Sequence, residues 1–166
     1  MNNLIDKKIA DMSTISKADY MDWRQSLAES FPDMDDQEAM YKFWAEAAQH
    51  LVKNHLENTD NKTPILVQLK MLFDKLGMGM GESVVSISDN GKLRVSHNFC
   101  QWHKCHEESN PDINCRKGCD VIFDTVISNI SDKTGSWIEV QTVNSKTDGD
   151  QCCKRVIQVV DPNANV

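Results

Sequence analysis

The sequence predicts an α+β domain in which N-terminal helices precede an antiparallel sheet with helices packed on one face. Apolar residues recur at helical spacing through the first half of the chain. The second half contains short β-type runs separated by turn signals. The resulting order of helices, hairpin, loop, helix and hairpin is typical of this class. A chain of 166 residues is long enough to bury a core as a single domain.

Three helices are predicted in the first half. The first begins with Ser16 and Asp19 at capping-box spacing. The second, over residues 33–57, has acidic residues at its start and carries an apolar face. The members of that face are Met40, Phe43, Trp44, Ala47 and Leu51. The third helix follows Pro64 and ends at Gly77.

Four strands and a further helix are predicted in the second half. Residues 82–99 contain two β-type runs on either side of Asp89, Asn90 and Gly91, a strong hairpin signal. The stretch CDVIFDTVISNIS has the spacing of a buried helix. The runs SWIEVQTVN and CCKRVIQVV are two more strands, joined by a turn-rich segment.

Charge and hydropathy exclude several classes of protein. The formal net charge of −7 argues against a nucleic-acid partner, which would require a clustered basic face, and against acidic membranes. The N-terminal residues show no secretory pattern, and no segment has the length of a membrane span. We therefore expect a cytoplasmic protein whose thiols are kept reduced.

The stretch from His97 to Cys119 contains four of the six cysteines and three of the five histidines. Soft ligands at this density predict a zinc site or an iron–sulfur cluster. The candidate ligands form two pairs, Cys100 with Cys105 and Cys115 with Cys119. The second pair lies on one helical face if the helix begins at Cys115 or before it. The alternative is a set of reduced thiols that pack as small apolar side chains.

The letters CQWHKCH, at residues 100–106, allow a third interpretation. A C-x₄-C-H spacing resembles a haem-attachment motif, with His106 as the proximal ligand and His97 or His103 on the other side. Covalent attachment takes place outside the cytoplasm, so the expected compartment argues against haem and leaves it a minor alternative. In either case Trp102, His103 and His106 are candidate cofactor-binding residues, with Trp102 as a possible pocket roof.

Residues 71–160 resemble the 4-vinyl reductase-like family and its aminothiazoline carboxylate hydrolase-like relatives. The similarity lies in LGMGMGESVVSISDNGKLRVSHNF, a cysteine-headed helix, the letters IEV and the letters GDQCC. It implies a turn at Gly149 and Asp150 into the last strand, and zinc held by Cys153 and Cys119, with Cys115 as an alternative to Cys119. Members are small-ligand sensors, accessory proteins or hydrolases. The further cysteine that the family often has before this turn is absent here.

Two classes of function follow from these observations. The first is a small-ligand-binding sensor or accessory module, in which ligand entry changes the order of the cysteine loop. The second is a small metal-dependent or thiol-dependent hydrolase that acts on a small heterocyclic or thioester-like substrate. In such a hydrolase, His103 or His106 would act as the base that moves a proton. Glu107 or Asp150 would orient that histidine. No spacing in the sequence demands catalysis, so the sequence favours binding and leaves open whether the protein is an enzyme.

The predicted single domain has two parts with different roles. Residues 1–62 form amphipathic helices without a ligand cluster, whereas residues 71–160 carry the cysteines and the specific turns. We therefore expect the second part to bind the small molecule and the first part to support a homodimer.

Overall fold

The structure, a computed structural model, describes residues 22, 25–26, 29, 32–33, 35–59, 62–78, 83–100, 103–104, 107 and 114–160. Within these residues there are three helices and four strands, which confirms the predicted α+β class. The helices are α1 (Asp36–Asn58), α2 (Ile65–Met78) and α3 (Cys115–Thr134). The strands are β1 (Ser83–Ile87), β2 (Leu93–His97), β3 (Trp137–Asn144) and β4 (Cys153–Val160). The helix predicted to begin near Ser16 lies largely outside the described residues.

The four strands form one antiparallel sheet in the order β1–β2–β4–β3. The β1–β2 hairpin turns at Gly91, whose φ of +69° is the left-handed conformation that glycine adopts without strain. The last strand, β4, pairs with both β2 and β3, so β2 and β4 lie at the centre. Their register places His97 directly opposite Cys153.

Capping residues define where the long helices begin. The Asp35 carboxylate accepts a hydrogen bond from Gln37 N at 2.9 Å, at the start of α1. The Asn114 side chain accepts from the backbone amides of Arg116, at 3.1 Å, and Lys117, at 3.4 Å, at the start of α3. Cys115 is therefore the first residue of α3, and Cys119 follows one turn later.

The core lies between the helices and one face of the sheet. Its most buried members are Val52, Leu69, Leu72, Leu93, Val126, Ile130 and Ile157. Phe73 of α2 stacks on Phe123 of α3 with ring centroids 4.4 Å apart. In the part of the chain that the structure describes, every helix is too short or too polar to cross a membrane.

A glycine sets the distance between α1 and the first turns of α3. A Cβ at Gly118 would lie 3.4 Å from both Met40 Cε and Trp44 Cδ1, closer than most such contacts. The two helices are in contact at Gly118, between Cys115 and Cys119, and both line a small cavity there.

The same substitution at two isoleucines tests the position of the core. Ile157 is fully buried on β4, whereas Ile87 on the edge strand β1 is 40% exposed. We expect Ile157→Ala to lower the free energy of unfolding by about 2–5 kcal/mol, because the lost contacts leave a cavity. The control, Ile87→Ala, should cost less than about 1 kcal/mol. Urea denaturation measures both values, and equal losses would contradict this core.

Candidate functional site

Four of the five described cysteines line a single cavity. They are Cys100, Cys115, Cys119 and Cys153, and they face the space between α1, the start of α3 and the strands β2 and β4. The volume that the centre of a water-sized sphere can occupy in this cavity is about 20 Å³. That volume holds about one water molecule. The space between these elements is therefore closed to larger molecules in this conformation.

The secondary structure explains why these thiols meet. Cys115 and Cys119 lie four residues apart on α3, so they share one helical face. Cys153 is the first residue of β4, and Cys100 follows shortly after the end of β2. Because β2 and β4 are neighbours in the sheet, their Cys100 and Cys153 ends meet the start of α3.

Each of three cavity thiols has a neighbouring hydrogen-bonding group of a different kind. Cys115 Sγ lies 3.5 Å from His103 Nδ1. Cys153 Sγ accepts a hydrogen bond from Lys146 N at 3.4 Å. The Cys119 side chain is hydrogen-bonded to Arg155. The thiols are thus held by protein groups from three separate parts of the chain.

Burial keeps the thiols of Cys115 and Cys119 protonated. It raises the pKa of the Cys119 thiol to about 12, although the nearby Arg155 opposes the shift. Burial also raises the pKa of the Cys115 thiol, and the neighbouring thiols add to the effect. On β2, burial and the nearby Arg155 lower the pKa of His97 to about 4. At neutral pH these three groups are uncharged.

The positive charge of the cavity comes from two arginines. Arg155, on β4, is only 4% exposed and is ion-paired with Asp120 of α3. Its guanidinium carbon lies 4.4 Å from the centroid of the Phe123 ring, a cation–π contact. Arg116 also lines the cavity and bonds Asp148 at 2.5 Å.

The sequence interpretation did not single out Arg155. Strand residues two apart face the same side of a sheet, so Cys153, Arg155 and Ile157 share a face. Once Ile157 is assigned to the core, Arg155 must point inward as well. A charged residue at an inward strand position was the signal that could have found it.

The structure brings together only part of the predicted site. It places Cys100, Cys115, Cys119 and Cys153 on the cavity wall, with His103 in contact with Cys115. Trp102, Cys105 and His106 lie outside the described residues.

The two candidate orienting carboxylates have different surroundings. Glu107 Oε1 lies 3.3 Å from His103 Nε2. Asp150 instead accepts a hydrogen bond from Ser145 N at 2.8 Å, which closes the turn before β4. Glu107 is therefore the carboxylate that meets a candidate base.

Comparisons with known proteins assign no family to this chain. No family model and no curated protein matches this chain, so the 4-vinyl reductase-like resemblance stays a prediction. A solved H-NOX protein from S. oneidensis in the Fe(II)NO ligation state is 12% identical, with a TM-score of 0.44, 83% of this chain covered and 72% of that one. A mutant H-NOX protein from S. oneidensis in the Fe(II) ligation state is 14% identical, with a TM-score of 0.40, 85% of this chain covered and 72% of that one.

The cofactor prediction, zinc or an iron–sulfur cluster with haem argued against, is wrong. Among the described residues, no group of three or more His, Cys, Asp or Glu side chains is placed to hold a metal ion. The physical reason lies in the partners of three thiols, which are protein groups: His103 for Cys115, Lys146 N for Cys153 and Arg155 for Cys119.

Acid should destabilise the fold through His97. The unfolded histidine takes up a proton near pH 6.5, whereas the folded one stays neutral down to about pH 4. Stability is therefore complete above pH 6.5 and is lost as the pH falls towards 4. Between pH 7 and 5 we expect a loss of about 2 kcal/mol from this residue.

The measurement is the free energy of unfolding in urea at both pH values. His97→Gln should lose less stability on acidification than the wild type, and the exposed His50→Gln serves as the control. If the wild type and the His97→Gln variant lose the same free energy of unfolding between pH 7 and 5, His97 is already protonated in the folded state at pH 5.

Proposed function

We propose that the protein is a small-ligand-binding sensor or accessory module whose ligand occupies the cysteine-lined cavity. The observation that carries this proposal is the meeting of four thiols and a buried arginine in one enclosed space. A concave site with an apolar wall and a few convergent polar groups is the usual form of a small-molecule site.

The composition of the wall supports an anionic ligand with a short apolar body. Arg116 and Arg155 line the cavity, and no Asp or Glu does so among the described residues. Met40, Trp44 and Ile122 provide the apolar side. A guanidinium forms strong, often bidentate hydrogen bonds to a carboxylate. A small carboxylate is therefore the class of ligand that this wall fits best.

The small size of the cavity links binding to a change of shape. A ligand of several heavy atoms cannot enter a space for about one water unless a wall moves. The wall made by β2 and β4 is held by the hydrogen bonds of the sheet. The opposite wall, made by Cys100 and the start of α3, is the one that must move. This displacement is the response of the sensor.

The other parts of the proposal concern assembly and location. We assign ligand binding to residues 71–160, with Met40 and Trp44 of α1 completing the apolar side of the cavity, and self-association to the helices of residues 1–62. The protein acts as a homodimer in the cytoplasm, and the ligand-induced movement of α3 reaches the N-terminal part through α1, against which Gly118 packs.

Two isosteric probes test the ligand class. Benzoate should bind the wild type, and benzamide, which has the same shape without the charge, should bind at least about tenfold more weakly, as expected for the loss of a charge-assisted hydrogen bond. Isothermal titration calorimetry measures both. Arg155→Gln should remove the preference for benzoate, because it removes the buried cation.

The control for this variant is Arg94→Gln. Arg94 is exposed on β2, the strand that pairs with β4, and it does not line the cavity. It should leave the benzoate affinity unchanged. Equal binding of benzoate and benzamide, or an Arg155→Gln variant with wild-type preference, would overturn the proposed ligand class.

Deletion of residues 1–30 tests the assignment of self-association. The truncated chain should associate more weakly in sedimentation velocity while it keeps its benzoate affinity, because the cavity is built from later residues. Circular dichroism must first show that the truncated chain folds. A folded chain that stays dimeric but loses benzoate binding would place the N-terminal helices in the ligand site instead.

A further inference from the structure

Three side chains form a continuous series of contacts beside the cavity. Cys115 Sγ lies 3.5 Å from His103 Nδ1. On the other side of the same imidazole, His103 Nε2 lies 3.3 Å from Glu107 Oε1. Cys115 is buried, the His103 side chain is 18% exposed and the Glu107 side chain is 65% exposed. The series therefore runs from the cavity wall to the solvent.

We propose that these three residues form a nucleophilic relay, in which the Cys115 sulfur attacks the carbonyl carbon of an ester or thioester in the cavity. A nucleophile within reach of a base, which a third group orients, is the arrangement that covalent catalysis requires. This activity goes beyond ligand binding and rests on the proposed function in one respect, since the substrate must enter the same cavity.

The two contacts of His103 assign different roles to its nitrogens. A carboxylate only accepts hydrogen bonds, so Glu107 selects the tautomer that carries its proton on Nε2. Nδ1 then presents its lone pair to the Cys115 thiol. His103 is the base that receives the thiol proton, and Glu107 is a positioning residue that acts through His103.

The relay distinguishes Cys115 from two other thiols of the cavity, Cys119 and Cys153. The groups that bond Cys119 and Cys153 are an arginine side chain and a backbone amide, and both are donors that cannot accept a thiol proton. Cys115 has an imidazole as its neighbour. It is also the first residue of α3, where the helix dipole stabilises negative charge on sulfur.

The thiol is deprotonated during the attack. Because burial raises the pKa of the Cys115 thiol, the resting group is S–H. As the bond from sulfur to the carbonyl carbon forms, the thiol proton passes to His103 Nδ1. The bond from that carbon to the leaving alcohol or thiol then breaks, and the leaving group takes this proton. The product is an acyl group on Cys115.

Water completes the cycle. His103 Nδ1 takes a proton from a water molecule that attacks the acyl carbon, the bond from carbon to sulfur breaks, and the proton returns to the Cys115 sulfur. The products are a carboxylic acid and the free thiol, so no oxidant or reductant is needed. Arg116 and Arg155 place positive charge on the same cavity wall, which favours the negative charge that develops on the carbonyl oxygen.

The probe for this activity is p-nitrophenyl acetate, applied to the full-length protein. The wild type should release p-nitrophenol and carry an acetyl group on the peptide that contains Cys115, as measured by absorbance and peptide mass spectrometry. Cys115→Ser should lose both signals. The control, Cys152→Ser, should keep them, because Cys152 lies outside the cavity wall.

Variants of the base and its partner separate catalysis from structure. His103→Gln should slow acetylation about 100-fold, the usual loss when a general base is removed. Glu107→Ala should slow it less, and Glu107→Gln should recover part of the rate, because its amide oxygen still accepts from Nε2–H. Far-ultraviolet circular dichroism and benzoate affinity should be unchanged in all three variants.

Two results would overturn the relay. One is wild-type protein that is not acetylated at Cys115, and the other is a His103→Gln variant that is acetylated at the wild-type rate. If either result is found while benzoate still binds, the relay is wrong and the proposed ligand site stands. If the protein is acetylated at Cys115 but does not bind benzoate, the proposed carboxylate ligand is wrong and the relay stands.

Discussion

The ion pair between Arg155 and Asp120 holds the cavity together. Arg155 is almost fully buried on the central strand β4, and an unpaired charge there would cost several kcal/mol. Its partner, Asp120, is on α3, so the pair joins the sheet to the helix beside the cavity. The same guanidinium packs on Phe123 and bonds Cys119. The position of the first turn of α3, and with it that of two cavity thiols, therefore depends on one ion pair.

The cavity combines one buried cation, Arg155, with a set of thiols on its wall. Burial raises the pKa of Cys119 more than the adjacent Arg155 lowers it, so the thiol stays neutral and the arginine charge is not cancelled by thiolates. Neutral thiols pack as small, polarisable apolar groups. The wall is thus mostly apolar, and its two arginines are ion-paired with Asp120 and Asp148, which do not line the cavity themselves.

The local parts of this site could be predicted from the sequence, whereas its long-range contacts could not. The spacing of Cys115 and Cys119 indicated a shared helical face, and Asp150 was correctly placed in a turn before the last strand. The ion pair of Arg155 joins residues 35 positions apart, which no periodicity reveals. The metal prediction was wrong although four of these cysteines line one cavity, because the spacing of the letters does not say whether three or more side chains are placed to hold a common ion.

Binding and reaction are coupled by the division of the cavity between a rigid and a movable wall. The sheet holds Arg155, the proposed anchor for a carboxylate, while Cys115 lines the cavity from α3 and contacts His103. A ligand anchored on the sheet must push that wall outward to gain room. If the push separates Cys115 from His103 beyond hydrogen-bond reach, the base can no longer take the thiol proton, and the ligand is sensed without being cleaved. A ligand small enough to preserve the 3.5 Å contact leaves the relay competent. Under the two proposals, the survival of the contact between Cys115 and His103 in the bound state is what separates a signal from a reaction.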